Sequence, residues 1–237
     1  IFYMLQKSSK VLYNSYFNFL LNLIRKISYK ERIKIYKKFC ELISFSKNDT
    51  IRDIGVSPSE EYSENVLLQK YPYKNKYTCL SNQDCTNLIK KYKNIKFING
   101  NACKTKLSDN KFNIVYSNAV LEHVGSYNEQ KKFINELYRI SSKVCFIVTP
   151  NRLHPIEFHT SLPLIHLLPK KMHRSILKFL GYKFLSKEKN LNLLTKNDIK
   201  KILSETKINN YKIISNKFLF FPSHLIIILN KNLSNNN

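Results

Sequence analysis

Tryptophan is absent from these 237 residues, and glycine occurs only four times. With so few glycines, no G-x-G-x-x-G run follows any strand-like stretch, which argues against a dinucleotide-dependent dehydrogenase. Acidic residues are also scarce, 16 against 40 lysines and arginines. The five cysteines (Cys40, Cys79, Cys85, Cys103, Cys145) are odd in number and contain no C-x-x-C pair. That pattern excludes a zinc ribbon or a disulfide framework and fits a reducing, cytoplasmic setting. Long hydrophobic runs are missing too. The most apolar stretch, Phe218 to Leu229, is too short to span a bilayer, contains Pro222 and His224, and reads as buried strand. Lys7, Lys10, Arg25 and Lys26 interrupt the N-terminal apolar residues, so no secretory leader is legible. A start at Ile1 instead of Met suggests a fragment or a trimmed sequence.

What is present is a chain able to bury a core, with 43% hydrophobic and 13% aromatic residues. The net charge of +24 suits a nucleic-acid or anionic-membrane partner. It equally suits a general bias in composition, since Lys, Asn and Ile are over-used throughout. The lysines are scattered (Lys90-Lys91, Lys131-Lys132, Lys170-Lys171, Lys200-Lys201) and form no block. No specific nucleic-acid partner is expected, while peripheral membrane contact by the basic, apolar N-terminal helix stays open. Oligomeric state is not legible.

The organising stretch is Thr50-Ile51-Arg52-Asp53-Ile54-Gly55-Val56-Ser57. β-Branched residues make it a buried strand, and Gly55 permits a sharp turn and close approach of a ligand. A helix is expected from Tyr62 to Tyr71. Before this stretch, Val11–Ile27 and Glu31–Phe45 read as two helices, the second with Ile33, Tyr36, Cys40 and Ile43 on one face. After it come strands at 76–81, 95–98, 112–116 and 144–149, and helices at 83–92 and 128–141. Phe133, Ile134, Leu137 and Ile140 line the inner face of the last helix. Such alternation predicts an α/β, doubly wound, mainly parallel sheet. Residues 150–194 break the rhythm with Pro155, Pro163, Pro169 and four histidines, and read as an insertion beside the site. A helix at 195–204 and an antiparallel pair at 211–214 and 218–229 complete seven strands. The expected division is 1–47 (helical cap), 48–149 (core), 150–194 (insertion) and 195–237 (closing helix and strand pair), with a frayed end from Asn230.

In this order the segments resemble a class I S-adenosylmethionine-dependent methyltransferase of the type 11 small-molecule group, over roughly Asn48 to Thr149. Asp53-Ile54-Gly55, the turn after the second strand, Gly100-Asn101-Ala102, and the run Phe112-Asn-Ile-Val-Tyr-Ser-Asn-Ala-Val-Leu-Glu-His-Val124 carry the resemblance. The last is similar to the family's F-D-x-V-x-[SC]-x-x-V-x-E-H-[VI] run. The resemblance implies a Rossmann-like fold, an enzyme, S-adenosylmethionine as cofactor, and methyl transfer to a small-molecule acceptor. It places Asp53, Gly55, Val56 and Ser57 at the methionine end of the cofactor, Ser81 and Asn82 at the ribose, Asn101 and Ala102 at adenine, and Asn118 beside them. The sequence departs from the family pattern: Ser57 and Ser59 stand where later glycines are usual. Ser81-Asn82, Asn101 and Asn113 replace acids. These losses leave open a non-catalytic relative used for binding or as a scaffold, as the charge leaves open a membrane- or RNA-associated methyltransferase.

His123 reads either as a general base facing the acceptor or as a residue that orders the loop. In some relatives an E-x-x-E-H run binds a metal, but Ala119 occupies the first acidic position here. His154, Glu157 and His159 are spaced like no standard zinc site, and no metal is expected. Arg152, His154 and His159 are the acceptor-side candidates, with Arg152 suited to an anionic group or to Glu157. Tyr16, Phe17, Leu20 and Leu162–Leu168 either roof the acceptor pocket or simply pack.

Overall fold

A computed structural model describes residues 15–157, 159–160 and 162–231, with side chains from residue 25 onward. Seven strands form one mixed, mostly parallel sheet in the order β3-β2-β1-β4-β5-β7-β6. They are β1 Ile51–Ile54, β2 Tyr77–Ser81, β3 Lys96–Asn99, β4 Phe112–Asn118, β5 Ser141–Pro150, β6 Tyr211–Phe218 and β7 Phe221–Asn230. β1 pairs in parallel with β2 on one side and β4 on the other. The order therefore reverses beside β1, and that switch point is where such sheets bind ligands, beyond the strands' carboxyl ends. β7 returns antiparallel between β5 and β6.

Alternation along β1 divides the core into two layers. Ile51 lies in the layer built with Ile35, Phe39, Leu67, Tyr71, Tyr116 and Phe146. Ile54 lies in the opposite layer with Phe133, Ile134, Leu137, Ile140, Ile199 and Ile202. The first layer is covered by α1 (Ser15–Leu42), α2 (Val66–Lys70) and α3 (Thr86–Lys91). The second is covered by α4 (Tyr127–Ile140) and, after α5 (Lys170–Phe179), by α6 (Lys196–Ser204). The inner face expected for α4 is wholly buried. Ser126 caps α4 by accepting from Glu129 N, and Thr195 with Asp198 closes a reciprocal capping box on α6.

α1 corrects the expectation of two N-terminal helices. It runs unbroken because the stretch around Ser28–Lys30 contains no proline or glycine to stop it. Its buried line is also rotated from the expected one, of which Ile43 is buried and Tyr36 packs against the core. Glu31, Ile35 and Phe39 face inward at four-residue spacing, while Cys40 is exposed. Phe39 decides the rotation by packing edge-on against Tyr116 and Phe146, with ring centroids 5.5 and 5.3 Å away. Buried Glu31 is satisfied by Lys34 Nζ at 2.6 Å and Asn216 Nδ2 at 2.8 Å. The expected helix at Val11–Asn14, the side chains of Tyr16, Phe17 and Leu20, and the end 232–237 lie outside the described residues.

Asn113 ties the opposite, amino end of the sheet together. It accepts from Thr50 N at 2.9 Å and donates to Ser142 Oγ at 3.2 Å. The β6–β7 hairpin turns through Leu219 and Phe220, both at positive φ. Neither is a turn-forming residue, so the sequence reading started the last strand at Phe218. The insertion's ends meet where Asn151 bridges Leu194. Within it α5 and a small core of Leu177, Leu185, Leu191 and Leu193 form a compact unit that the sequence did not announce. Among the described residues, no helix is long and apolar enough to cross a membrane.

Candidate functional site: a cleft at the carboxyl ends of β1 to β4

A cleft of about 720 Å³ opens beyond β1, β2, β3 and β4. Asp53, Gly55, Val56, Ser57, Ser81, Asn82, Asn101, Ala102, Asn118 and His123 all line it. The chain is brought to this rim by one tight turn. Gly55 has φ +86°, and its N–H donates to Leu80 O at 2.7 Å, binding the turn to β2. A Cβ at position 55 would meet Val120 Cγ2 at 2.2 Å, so only glycine fits between β1 and the end of β4.

The loop after Gly55 does without further glycines by leaning on one asparagine. Asn65, itself at φ 49°, donates from Nδ2 to Ser57 O at 2.8 Å and Ser59 O at 3.2 Å. Its Oδ1 accepts from Ser57 N at 3.0 Å. Ser57 and Ser59 thus sit in a loop shaped by a side chain rather than by glycine backbone freedom. Asn65 was missed by sequence reasoning, as were Arg32, Glu64, Phe184, Lys189 and Asn190, which also line the cleft. The last three come from the insertion, and nothing in their spacing marks them.

Asp53 closes β1 with its carboxylate buried, and Tyr77 OH donates to Oδ2 at 2.5 Å. Burial pushes its carboxyl up to about 7, against the opposing pull of the Tyr77 hydrogen bond. Ser81 is buried, and its hydroxyl donates to Val56 O at 2.8 Å, locking β2's end to the Gly55 turn. Asn82 is exposed on the cleft wall. Asp84 serves Thr86 at the start of α3, accepting from its N at 2.9 Å and its Oγ1 at 2.5 Å. Asn101 shapes the turn after β3 by accepting from Cys103 N at 2.8 Å.

His123 ends a short 3₁₀ turn, Leu121–His123, just beyond β4. Its Nδ1 lies 2.6 Å from Asn190 O; a carbonyl only accepts, so Nδ1 carries the hydrogen. Its Nε2 faces Nε2 of His159 at 3.1 Å. Burial holds the His123 imidazole below its usual range, opposed by Glu122. His159 is buried behind His123, away from the cleft lining, with Nδ1 in contact with Glu157 Oε1. Glu157 and Glu122 raise it to about 9 despite burial.

Arg152 and His154 do not line the cleft. Arg152 donates to His166 O at 3.1 Å and Leu168 O at 2.7 Å, fastening the insertion to its own 3₁₀ turn at Ile165–Leu167. His154 Nδ1 contacts Ile156 O at 3.0 Å. His154 and His159 therefore do not converge, and Glu157 supports His159 from behind. Leu162 and Ile165 pack against the insertion's own leucine core.

Residues 64–147 match the family model described as a methyltransferase domain. The match begins after the Gly55 turn, so β1 and its loop enter through the structure alone. No curated protein matches the sequence. Solved structures match in fold. An S-adenosylmethionine-dependent methyltransferase from Aquifex aeolicus is 13% identical with a TM-score of 0.57, over 88% of this chain and 96% of that one. A possible histamine N-methyltransferase from Thermotoga maritima is 13% identical with a TM-score of 0.55, over 89% of this chain and 92% of that one. Phosphoethanolamine N-methyltransferase 2 of Haemonchus contortus, solved with S-adenosyl-L-methionine, is 12% identical with a TM-score of 0.57, over 85% of this chain and 52% of that one. At such identities the likeness is one of fold. Over residues 64–147 the chain is similar to a methyltransferase domain, and its fold is that of the solved S-adenosylmethionine-dependent methyltransferases it matches.

Proposed function

We propose that this protein transfers a methyl group from S-adenosylmethionine to a small-molecule acceptor, using the cleft beyond β1–β4. The observation that carries this reading is the cleft itself, which the Gly55 turn opens at the switch point of a methyltransferase fold. The residues present fit the cofactor. Asp53 offers a buried carboxylate for an ammonium group, Asn82 a solvent-facing amide for ribose hydroxyls, and Asn101 with Ala102 a turn for adenine. Gly55, Val56 and Ser57 supply backbone at close range, Ser81 fixes that backbone through Val56, and Asn118 closes the floor at β4. When bound, S-adenosylmethionine supplies an electrophilic methyl group on its sulfonium.

The chain's own contribution is mainly to hold two reactants close and aligned. His123 is the acceptor-side residue. With Nδ1–H committed to Asn190, its Nε2, which is 3.1 Å from His159 Nε2, is the ring atom able to receive a proton at the inner end of the cleft. Phe184, Lys189 and Asn190 bring the insertion against the same space, so acceptor choice lies with residues 150–194. Arg152 and His154 act on the acceptor indirectly, by fixing that segment, and His159 acts by orienting His123.

The test is transfer of labelled methyl from S-adenosylmethionine into a small-molecule extract. His123→Ala is expected to lower label incorporation at least tenfold while S-adenosylmethionine still raises Tm as in the parent. Undiminished incorporation removes His123 from the mechanism. Parent protein that transfers no label and gains no Tm from the cofactor overturns the reading itself.

A further inference from the structure

Three donor atoms converge at the inner end of the cleft: two ring nitrogens that face each other and a carboxylate oxygen with no hydrogen-bond partner. Nε2 of His123 and Nε2 of His159 stand 3.1 Å apart, and Oε1 of Glu122 lies 3.7 Å from each. Both histidines point these atoms inward because their other nitrogens are anchored. Nδ1–H of His123 donates to Asn190 O, and Nδ1 of His159 is held by the Glu157 carboxylate. Glu157 is fixed in turn by His159 N at 2.8 Å, Thr160 N at 2.6 Å and Thr160 Oγ1 at 2.6 Å. Glu122 is held through its other oxygen, which accepts from Thr149 Oγ1 at 2.9 Å. Its Oε1 is buried without a hydrogen-bond partner, although it points at both rings.

Two imidazole nitrogens and a carboxylate oxygen facing one another repel unless a proton or a metal ion lies among them. Ligand atoms around an ion bound at ordinary Zn–N and Zn–O lengths sit about 3.0–3.4 Å apart. The two nitrogens already stand at such a separation, and the carboxylate oxygen, 3.7 Å from each, must draw in by a few tenths of an ångström. Each imidazole is also backed on its far nitrogen by an oxygen, one carboxylate and one carbonyl, the support that metal-binding histidines usually have.

We propose that Glu122, His123 and His159 form a two-histidine, one-carboxylate site for a borderline divalent cation, Zn²⁺ or Fe²⁺. Two nitrogens and one oxygen match the preferences of such ions and not those of Mg²⁺ or Ca²⁺. Among the described residues these three make up the whole group. Of them only His123 lines the cleft, so the ion's remaining coordination positions open there. The site unites the end of β4 with the insertion, and the ion would pin His159 against the cleft floor. With an ion bound, His123 Nε2 would be a ligand, so the proton-accepting role given to it above would belong to the metal-free protein. The site goes beyond the methyl-transfer reading and does not need it, because metal binding is read without any cofactor.

The experiment is titration of chelator-treated, folded protein with Co²⁺, read by its visible ligand-field bands, and with Zn²⁺, read by calorimetry. One ion per chain is expected, with micromolar or tighter affinity. Glu157→Gln leaves all three ligands but removes the carboxylate behind His159, and is expected to weaken binding about 10–100-fold. His159→Ala is expected to abolish stoichiometric binding. If that variant does not fold, His123→Ala, on the partly exposed side of the cluster, makes the same test. Failure of folded parent protein to bind either ion overturns the site and assigns the cluster to a proton shared between the two rings. Binding that survives loss of a histidine ligand also overturns it. Measuring S-adenosylmethionine affinity on the same metal-free sample separates this failure from a failure of the methyltransferase reading.

Discussion

Replacing Gly55 by alanine isolates the feature on which the cleft depends. Two costs are expected. The backbone at φ +86° is disfavoured for a residue with a Cβ, by about 1–2 kcal/mol. The new methyl also lands 2.2 Å from Val120 Cγ2 and 3.1 Å from Cγ1. Valine is stiff about χ1 and has little freedom to turn aside, and an overpacked contact of this kind costs about 1–3 kcal/mol. Gly55→Ala should therefore lose about 2–5 kcal/mol in urea denaturation, a large part of a domain's stability. Val120→Ala removes both clashing carbons and leaves only Cβ, 3.2 Å away. The double variant should thus recover the steric part, a coupling of about 1–3 kcal/mol, but not the conformational part. A single variant within about 0.5 kcal/mol of the parent, or a double variant whose losses merely add, would refute the reasoning.

Asp53 gives a prediction whose sign follows from its carboxyl, which titrates near 7 in the fold against an ordinary value of 3.8. Folding takes up a proton between these values, so the group's contribution is complete below pH 3.8 and is lost as pH rises to 7, a penalty approaching ~4 kcal/mol. Asp53→Asn should raise the Tm of the free protein more at pH 8 than at pH 5, and equal shifts at both would contradict the burial argument. A bound ammonium favours the charged form, so parent affinity for S-adenosylmethionine should fall between pH 8 and pH 6, as read by calorimetry. Arg52 is fully buried, its guanidinium carbon 4.9 Å from the Phe112 ring centre, and its Nε and Nη2 find no partner among the described residues. Arg52→Met keeps the length of the side chain and removes those donors, so urea denaturation should show a gain of about 1–3 kcal/mol; a loss would mean that the guanidinium is satisfied after all.

Much of the fold was legible because the alternation of strands and helices follows local chemistry. β-Branched runs marked β1, β4 and β5, and the spacing of Phe133, Ile134, Leu137 and Ile140 fixed the face of α4. Boundaries failed where tertiary contact overrode local signals. α1 continues because nothing stops it, and its buried face is set by Phe39 meeting rings on β4 and β5, which lie more than 70 residues away. The β6–β7 turn was invisible because Leu219 and Phe220 adopt a conformation usually left to glycine or asparagine.

The cleft shows the same division. Residues expected from Asp53 to Asn118 gather on it because they follow strand ends, which the topology brings together. Contacts made across the insertion left no mark in the sequence. His123 and His159 are 36 residues apart, and only the fold turns their rings toward each other. Asn65 carries the shape of a loop in which glycine would ordinarily announce itself.

The central claim is that the cleft holds S-adenosylmethionine despite the amides that stand at Asn82 and Asn101. Calorimetric titration with S-adenosylmethionine and S-adenosylhomocysteine tests it most directly. Saturable, one-to-one micromolar binding of both, lost in Gly55→Val, is the result predicted. A folded protein that binds neither would contradict the account and leave this fold serving as a binding or scaffold module without the cofactor.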